Sequence, residues 1–173
     1  PLDEGDLIYM PTTYPGISIG QARQLLQQTD KLIKTVPEVK TVFGKVGRAE
    51  TATDPAPLTM IESFIQFKPH DQWREGVTTE SLKKELDALV KLPGVTNAWV
   101  MPIKTRIDML ATGIKTPVGI KISGPKLDVI QDIGKQIEEI LVNVPGTASV
   151  YSERVAGGRY VKVDIQRAKA ARY

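Results

Sequence analysis

Apolar and polar positions alternate most clearly over residues 59–68. Ile61, Ser63, Ile65 and Phe67 fall on one side, and Met60, Glu62, Phe64 and Gln66 on the other. A period of two is the mark of a strand with one covered face. A period of 3.6 appears four times. Ile19, Ala22, Leu25, Leu26, Leu32 and Ile33 form a stripe behind Ser18 and Gln21, which have the spacing of a capping box. Leu82, Leu86, Leu89 and Val90 give a second helix starting near Thr79. Ile107, Leu110, Ala111 and Ile114 give a third. Leu127, Ile130, Ile133, Ile137, Ile140 and Leu141 give a fourth, with Pro125 as its first helical residue.

Residues 5–14, 39–46, 95–100, 116–124, 147–152 and 159–165 read as further strands. Pro11 marks the first as an edge or a bulge, and Gly157-Gly158 joins the last two as a turn. Strand, helix, strand, strand, helix, strand is the βαββαβ order of a ferredoxin-like fold, an antiparallel sheet with both helices on one face. The expected class is therefore α+β. A ferredoxin-like subdomain covers 1–103, a connecting helical segment 104–115, and an incomplete second ferredoxin-like subdomain 116–173. Helix-ending punctuation recurs at Pro37, Pro93-Gly94 and Pro145-Gly146, in step with this repetition. The unfinished second unit and the ends at Pro1 and Tyr173 suggest a piece of a longer protein.

The third helix carries an oddity. Met109 falls almost opposite the stripe of Ile107 and Leu110, one turn above Arg106. Met60 shares a strand side with Glu62, opposite the aliphatic row of Ile61, Ile65 and Phe67 that the helices should cover. Met10 alternates with Ile8 on the first strand. Three of the four methionines thus point toward one open face or cleft. Thioethers are neutral, soft donors that favour Cu(I) and Ag(I) over Zn(II) or Mg(II). They are also ordinary core fillers, and spacing leaves both roles open.

Composition narrows the field mainly by exclusion. The 173 residues include no cysteine, which removes disulfides, thiolate metal sites and thiol nucleophiles together. A net charge of +3, spread along the chain with acidic residues between, is no nucleic-acid footprint. No apolar run approaches the roughly eighteen residues of a membrane span. His70, the only histidine, has no second ligand near it in sequence, no serine has triad partners, and no glycine run makes a phosphate loop. Nothing here points to an enzyme.

Three longer motifs add what spacing does not. Residues 1–13 (Pro1-Leu-Asp-Glu-Gly-Asp-Leu-Ile-Tyr-Met-Pro-Thr-Thr13), 50–60 (Glu50-Thr-Ala-Thr-Asp-Pro-Ala-Pro-Leu-Thr-Met60) and 106–115 (Arg106-Ile-Asp-Met-Leu-Ala-Thr-Gly-Ile-Lys115) closely resemble segments of the heavy-metal efflux pumps of the resistance–nodulation–division superfamily, in particular the copper/silver branch. The resemblance runs over essentially the whole chain. It implies a periplasmic porter fragment of a proton-driven inner-membrane pump of Gram-negative bacteria. The pump is implied to be a homotrimer working with a periplasmic adaptor and an outer-membrane channel. The family's three-methionine site matches Met10, Met60 and Met109, and its nearby charged residues match Glu4, Asp54, Glu62, Arg106 and Lys115. Cu(I) or Ag(I) is then the transported substrate, and no cofactor is required. Met101 has no place in that pattern.

Two other readings compete. A tandem ferredoxin-like interaction module would show a continuous apolar patch on the Met60 side, where Glu62 stands instead. An acylphosphatase-like enzyme would need an Arg and Asn anion loop after the first strand, where the chain has Tyr14-Pro-Gly-Ile.

Overall fold

The computed structural model describes residues 3–13, 15–49, 56–114, 116, 118–147, 149–154 and 162–172. Its frame is the strand β4 (Ile61–Phe67), in which Ile61, Ser63, Ile65 and Phe67 are buried and the residues between them are not. On one side β4 pairs antiparallel with β3 (Val39–Val46), and on the other with β1 (Asp6–Tyr9). β1 pairs antiparallel with β6 (Trp99–Val100), giving the order β3-β4-β1-β6.

Helices α1 (Ile19–Ile33) and α2 (Thr79–Leu89) cover one face of this sheet. Ile33, Leu82 and Leu86 from the helices join Leu7, Tyr9, Ile65 and Phe67 from the strands in one buried cluster. Both helices start as local chemistry dictates. Ser18 Oγ accepts the Gln21 N–H at 3.1 Å while Gln21 Oε1 accepts the Ser18 N–H, and Thr78 and Ser81 repeat the exchange ahead of α2. Of the four residues expected on the buried side of α2, Leu82, Leu86 and Val90 are buried and Leu89 is exposed. Glu38 is fully buried at the entry to β3, where Arg74 chelates it: Nε donates to Oε1 at 2.6 Å and a terminal nitrogen to Oε2 at 2.9 Å.

Several boundaries differ from expectation. The first strand is central rather than an edge. It stops before Pro11, which has no N–H to donate, and the chain resumes as β2 (Thr12–Thr13) in a separate two-stranded sheet with β5 (Val95–Thr96). Residues 95–100 split correspondingly into β5 and β6. Helix α3 (Pro102–Thr112) begins at the expected connector, but its apolar stripe is outward: Ile107 is 60% and Leu110 88% exposed. The buried residue of α3 is Thr105, and Met109, one turn on, is half-buried.

Beyond α3, helix α4 (Leu127–Leu141) starts after Pro125, with Lys126 at its N-cap. Ile130, Ile137 and Leu141 are half-buried, whereas Leu127, Ile133 and Ile140 are exposed. Gly134 lets Ser152 approach the helix closely, and Arg154 bonds Glu138 at 2.8 Å. The strands expected at 116–124, 147–152 and 159–165 form no β-ladder among the described residues, and the Gly157-Gly158 turn lies outside them. Helices close their hydrogen bonds locally, but a strand exists only with a partner. A last short helix, α5 (Arg167–Ala170), follows. No helix of the described residues is long and apolar enough to cross a membrane.

Candidate metal-binding face

The face of the sheet opposite α1 and α2 is organised by register. β1 and β4 pair from Asp6 with Gln66 to Tyr9 with Ser63, and an isolated bridge between Thr12 and Met60 keeps the same register. Met10 therefore lies across from Glu62. Met60, two residues before Glu62, shares its side of β4. Leu7 and Tyr9 point into the helix-covered core. Ile8 and Met10, of the other parity, point to the opposite face, and both are nonetheless buried, Met10 to 2% exposure. Helix α3 packs against β1. Its inward residues are Thr105 and, one turn on, Met109.

The charged residues are handled in distinct ways. Glu62 is half-buried and paired with Lys45 of β3, Nζ to Oε2 at 3.2 Å. Glu4 is taken up by α3: its carboxylate accepts the backbone N–H of Ile103 at 2.6 Å and of Lys104 at 2.9 Å. These are donors in the first turn that Met101, at the N-cap, has no side chain to satisfy. Arg106 is exposed on α3. Asp54 and Lys115 lie outside the described residues. Met101 packs against the main hydrophobic cluster, as a core filler does. Among the described residues no three His, Cys, Asp or Glu side chains gather to hold a metal. His70 stacks on Trp73 at 4.2 Å between ring centres.

Two participants on this face were not singled out from sequence. Lys45 had no visible reason to differ from other surface lysines until β3–β4 pairing put it opposite Glu62. Phe43, directly opposite Phe64 on the same face and 71% exposed, likewise needs the register to be seen.

The described residues thus form a mixed α/β fold with antiparallel sheets, one face of which bears thioethers and a carboxylate. The chain belongs to the AcrB/AcrD/AcrF family, whose profile matches residues 1–173. It is 59% identical over 172 residues to the cation efflux system protein CusA of Escherichia coli, and 58% identical to the putative cation efflux system protein SilA of Salmonella typhimurium. In each case the match covers 99% of this chain and 16% of the relative. The cobalt-zinc-cadmium resistance protein CzcA of Cupriavidus metallidurans is 31% identical. The fold matches an X-ray crystal structure of a heavy metal efflux pump with a TM-score of 0.87 at 27% identity, over 99% of this chain and 18% of that one. The chain is thus similar to a fragment of a metal efflux pump.

Proposed function

We propose that the chain is the periplasmic, substrate-binding porter portion of a proton-driven Cu(I)/Ag(I) efflux pump of the resistance–nodulation–division superfamily, and that Met10, Met60 and Met109 hold the ion. The supporting observation is the register that sets Met10 across from Glu62 and beside Met60, with the helix bearing Met109 packed against β1. Thioethers favour a soft monovalent ion. Consistent with that preference, identity to CusA and SilA is nearly twice that to the cobalt-zinc-cadmium resistance protein. The strand order β3-β4-β1-β6, with α1 and α2 on one face, supports a ferredoxin-like first subdomain over 1–103. Residues 104–115 then connect it to a second subdomain over 116–173. In the whole pump we expect cation:proton antiport, a homotrimer in the inner membrane, and engagement of a periplasmic adaptor and an outer-membrane channel. Glu62 contributes charge near the ion, and Glu4 acts through α3. We assign Arg106 to the ion path, and Asp54 and Lys115 with it on the resemblance of their motifs alone.

Titration of the chain with Ag(I) in nitrate buffer tests this. Met60→Ala should weaken binding by at least tenfold. Because thioethers carry no titrating proton, affinity should hardly change between pH 5 and 8. Equal affinity in both proteins sinks the methionine site. A docking module is the second reading, favoured by the outward Ile103, Ile107 and Leu110 of α3. Apolar-probe binding that disappears in Leu110→Ser, in a chain blind to Ag(I), supports it.

A further inference from the structure

Across three strands, one row on the open face reads Lys45, Glu62, Met10. β3 and β4 pair Lys45 with Glu62, and the β1–β4 register sets Met10 on the other side of Glu62. Met60 occupies the neighbouring row, opposite Thr12. The anion nearest the methionines by register is thus already engaged by a cation of the protein itself. Their side chains are 34% and 20% exposed. That is shielded enough for the charges to feel each other more than a fully solvated pair does, yet open enough for the ammonium to swing into water on its four-carbon stem.

A site of neutral thioethers supplies no charge to balance the ion it takes. A cation entering beside Met10 and Met60 brings its full charge into a half-buried place, where an unbalanced charge is costly. Glu62 can offset that charge only if its own partner leaves. We propose, building on the methionine reading above, that Lys45 is the resident counter-cation of the site: its ammonium holds Glu62 until an incoming soft monovalent ion displaces it. One positive charge replaces another, so the row stays neutral. A divalent ion would leave a surplus, and Lys45 thereby adds a charge criterion to the softness criterion set by sulfur. Lys45 is a specificity residue in this account and touches the carboxylate rather than the ion.

The experiment is Ag(I) titration in chloride-free buffer at low ionic strength, comparing the unsubstituted chain, Lys45→Gln, Glu62→Gln, the double variant and Met60→Ala. Unfolding midpoints are measured for each. Lys45→Gln should bind Ag(I) about tenfold more tightly, and Glu62→Gln about tenfold more weakly. In the Glu62→Gln background, Lys45→Gln should change affinity by less than threefold. The Lys45 side-chain NMR signals should shift on saturation with Ag(I). A pair that merely staples β3 to β4 would lower the unfolding midpoint in Lys45→Gln and leave affinity unchanged. That result, in a chain where Met60→Ala does abolish binding, overturns the role of Lys45 alone. An unsubstituted chain that binds no Ag(I) overturns the methionine reading and this one with it.

Discussion

Glu4 accepts the backbone N–H of Ile103 at 2.6 Å, across almost a hundred residues of chain. Its second oxygen takes the next N–H, that of Lys104. A carboxylate on the first turn satisfies orphan donors and opposes the positive end of the helix dipole. Helix α3, which carries Met109, is therefore pinned to the segment leading into β1. Glu4→Ala should cost about 1 kcal/mol. It should also speed hydrogen exchange at the Ile103 and Lys104 amides, with Glu4→Gln falling between. If Met109 binds the ion, Ag(I) affinity should drop alongside. Unchanged exchange at those two amides would show that the cap does not hold in solution.

Acid sensitivity should be dominated by Glu38. Hydrogen bonding from Arg74 holds its carboxyl down, from an ordinary 4.5 to about 2, against the opposing effect of burial. A carboxylate lowered in the folded state contributes stability that is complete above its unfolded value and is lost as pH falls through the folded one. The window is therefore about pH 5 down to 2. Arg74 is half-exposed, so the pair is screened on one side. Glu38→Gln should cost about 1–2 kcal/mol at pH 7, on the scale of hydrogen bonds to charged groups. It should also flatten the acid limb in urea unfolding at pH 7, 4 and 3. A variant with the same acid slope as the parent would place the acid-labile group elsewhere.

What could be read in the chain was what its chemistry fixes locally. Ser18 and Gln21 cap α1 with their own side chains, and the row of Ile61, Ile65 and Phe67 declares which side of β4 is covered. Partners brought together from afar left no local trace. Glu4 looks like any acidic residue until α3 arrives, and Lys45 like any lysine until β3 pairs with β4. The stripe on α3 misled for a related reason: periodicity finds an apolar side but not what it faces, and here Thr105 and Met109 face inward while Leu110 faces out. Among the described residues the strands expected after residue 115 form no ladder, since alternation cannot supply a partner.

Between α1 and the sheet, Asp30 accepts the Ser63 hydroxyl at 2.5 Å, in a space that only Gly44 leaves open. A Cβ at residue 44 would meet Leu26, and would lie 2.6 Å from Ser63 Oγ and 2.7 Å from Asp30 Oδ2. Gly44→Ala should therefore destabilise by about 1–3 kcal/mol through overpacking. Burial pushes the Asp30 carboxyl up, with the Ser63 bond opposing. The sign is opposite to that of Glu38. The folded state holds its proton more tightly than the unfolded one, so stability from this residue declines as pH rises from about 3.8 through the raised value. Asp30→Asn should remove that decline in urea unfolding. A steeper decline in the variant would contradict the assignment.

The methionines of α3 and its approach allow packing to be separated from ligation. Met101 packs on the main hydrophobic cluster, whereas Met109 lies half-buried on the side of α3 that bears Thr105. Leucine nearly conserves methionine volume, and such swaps usually cost less than about 1.5 kcal/mol. It also removes the only soft donor atom. Met101→Leu should therefore leave both the urea midpoint and Ag(I) affinity close to the parent. Met109→Leu should leave the midpoint alike but weaken Ag(I) by more than tenfold, while Met109→Ala should lower both. If the two leucine variants bind Ag(I) equally well, Met109 is a packing residue, and the ion must be held by Met10 and Met60 with donors from elsewhere.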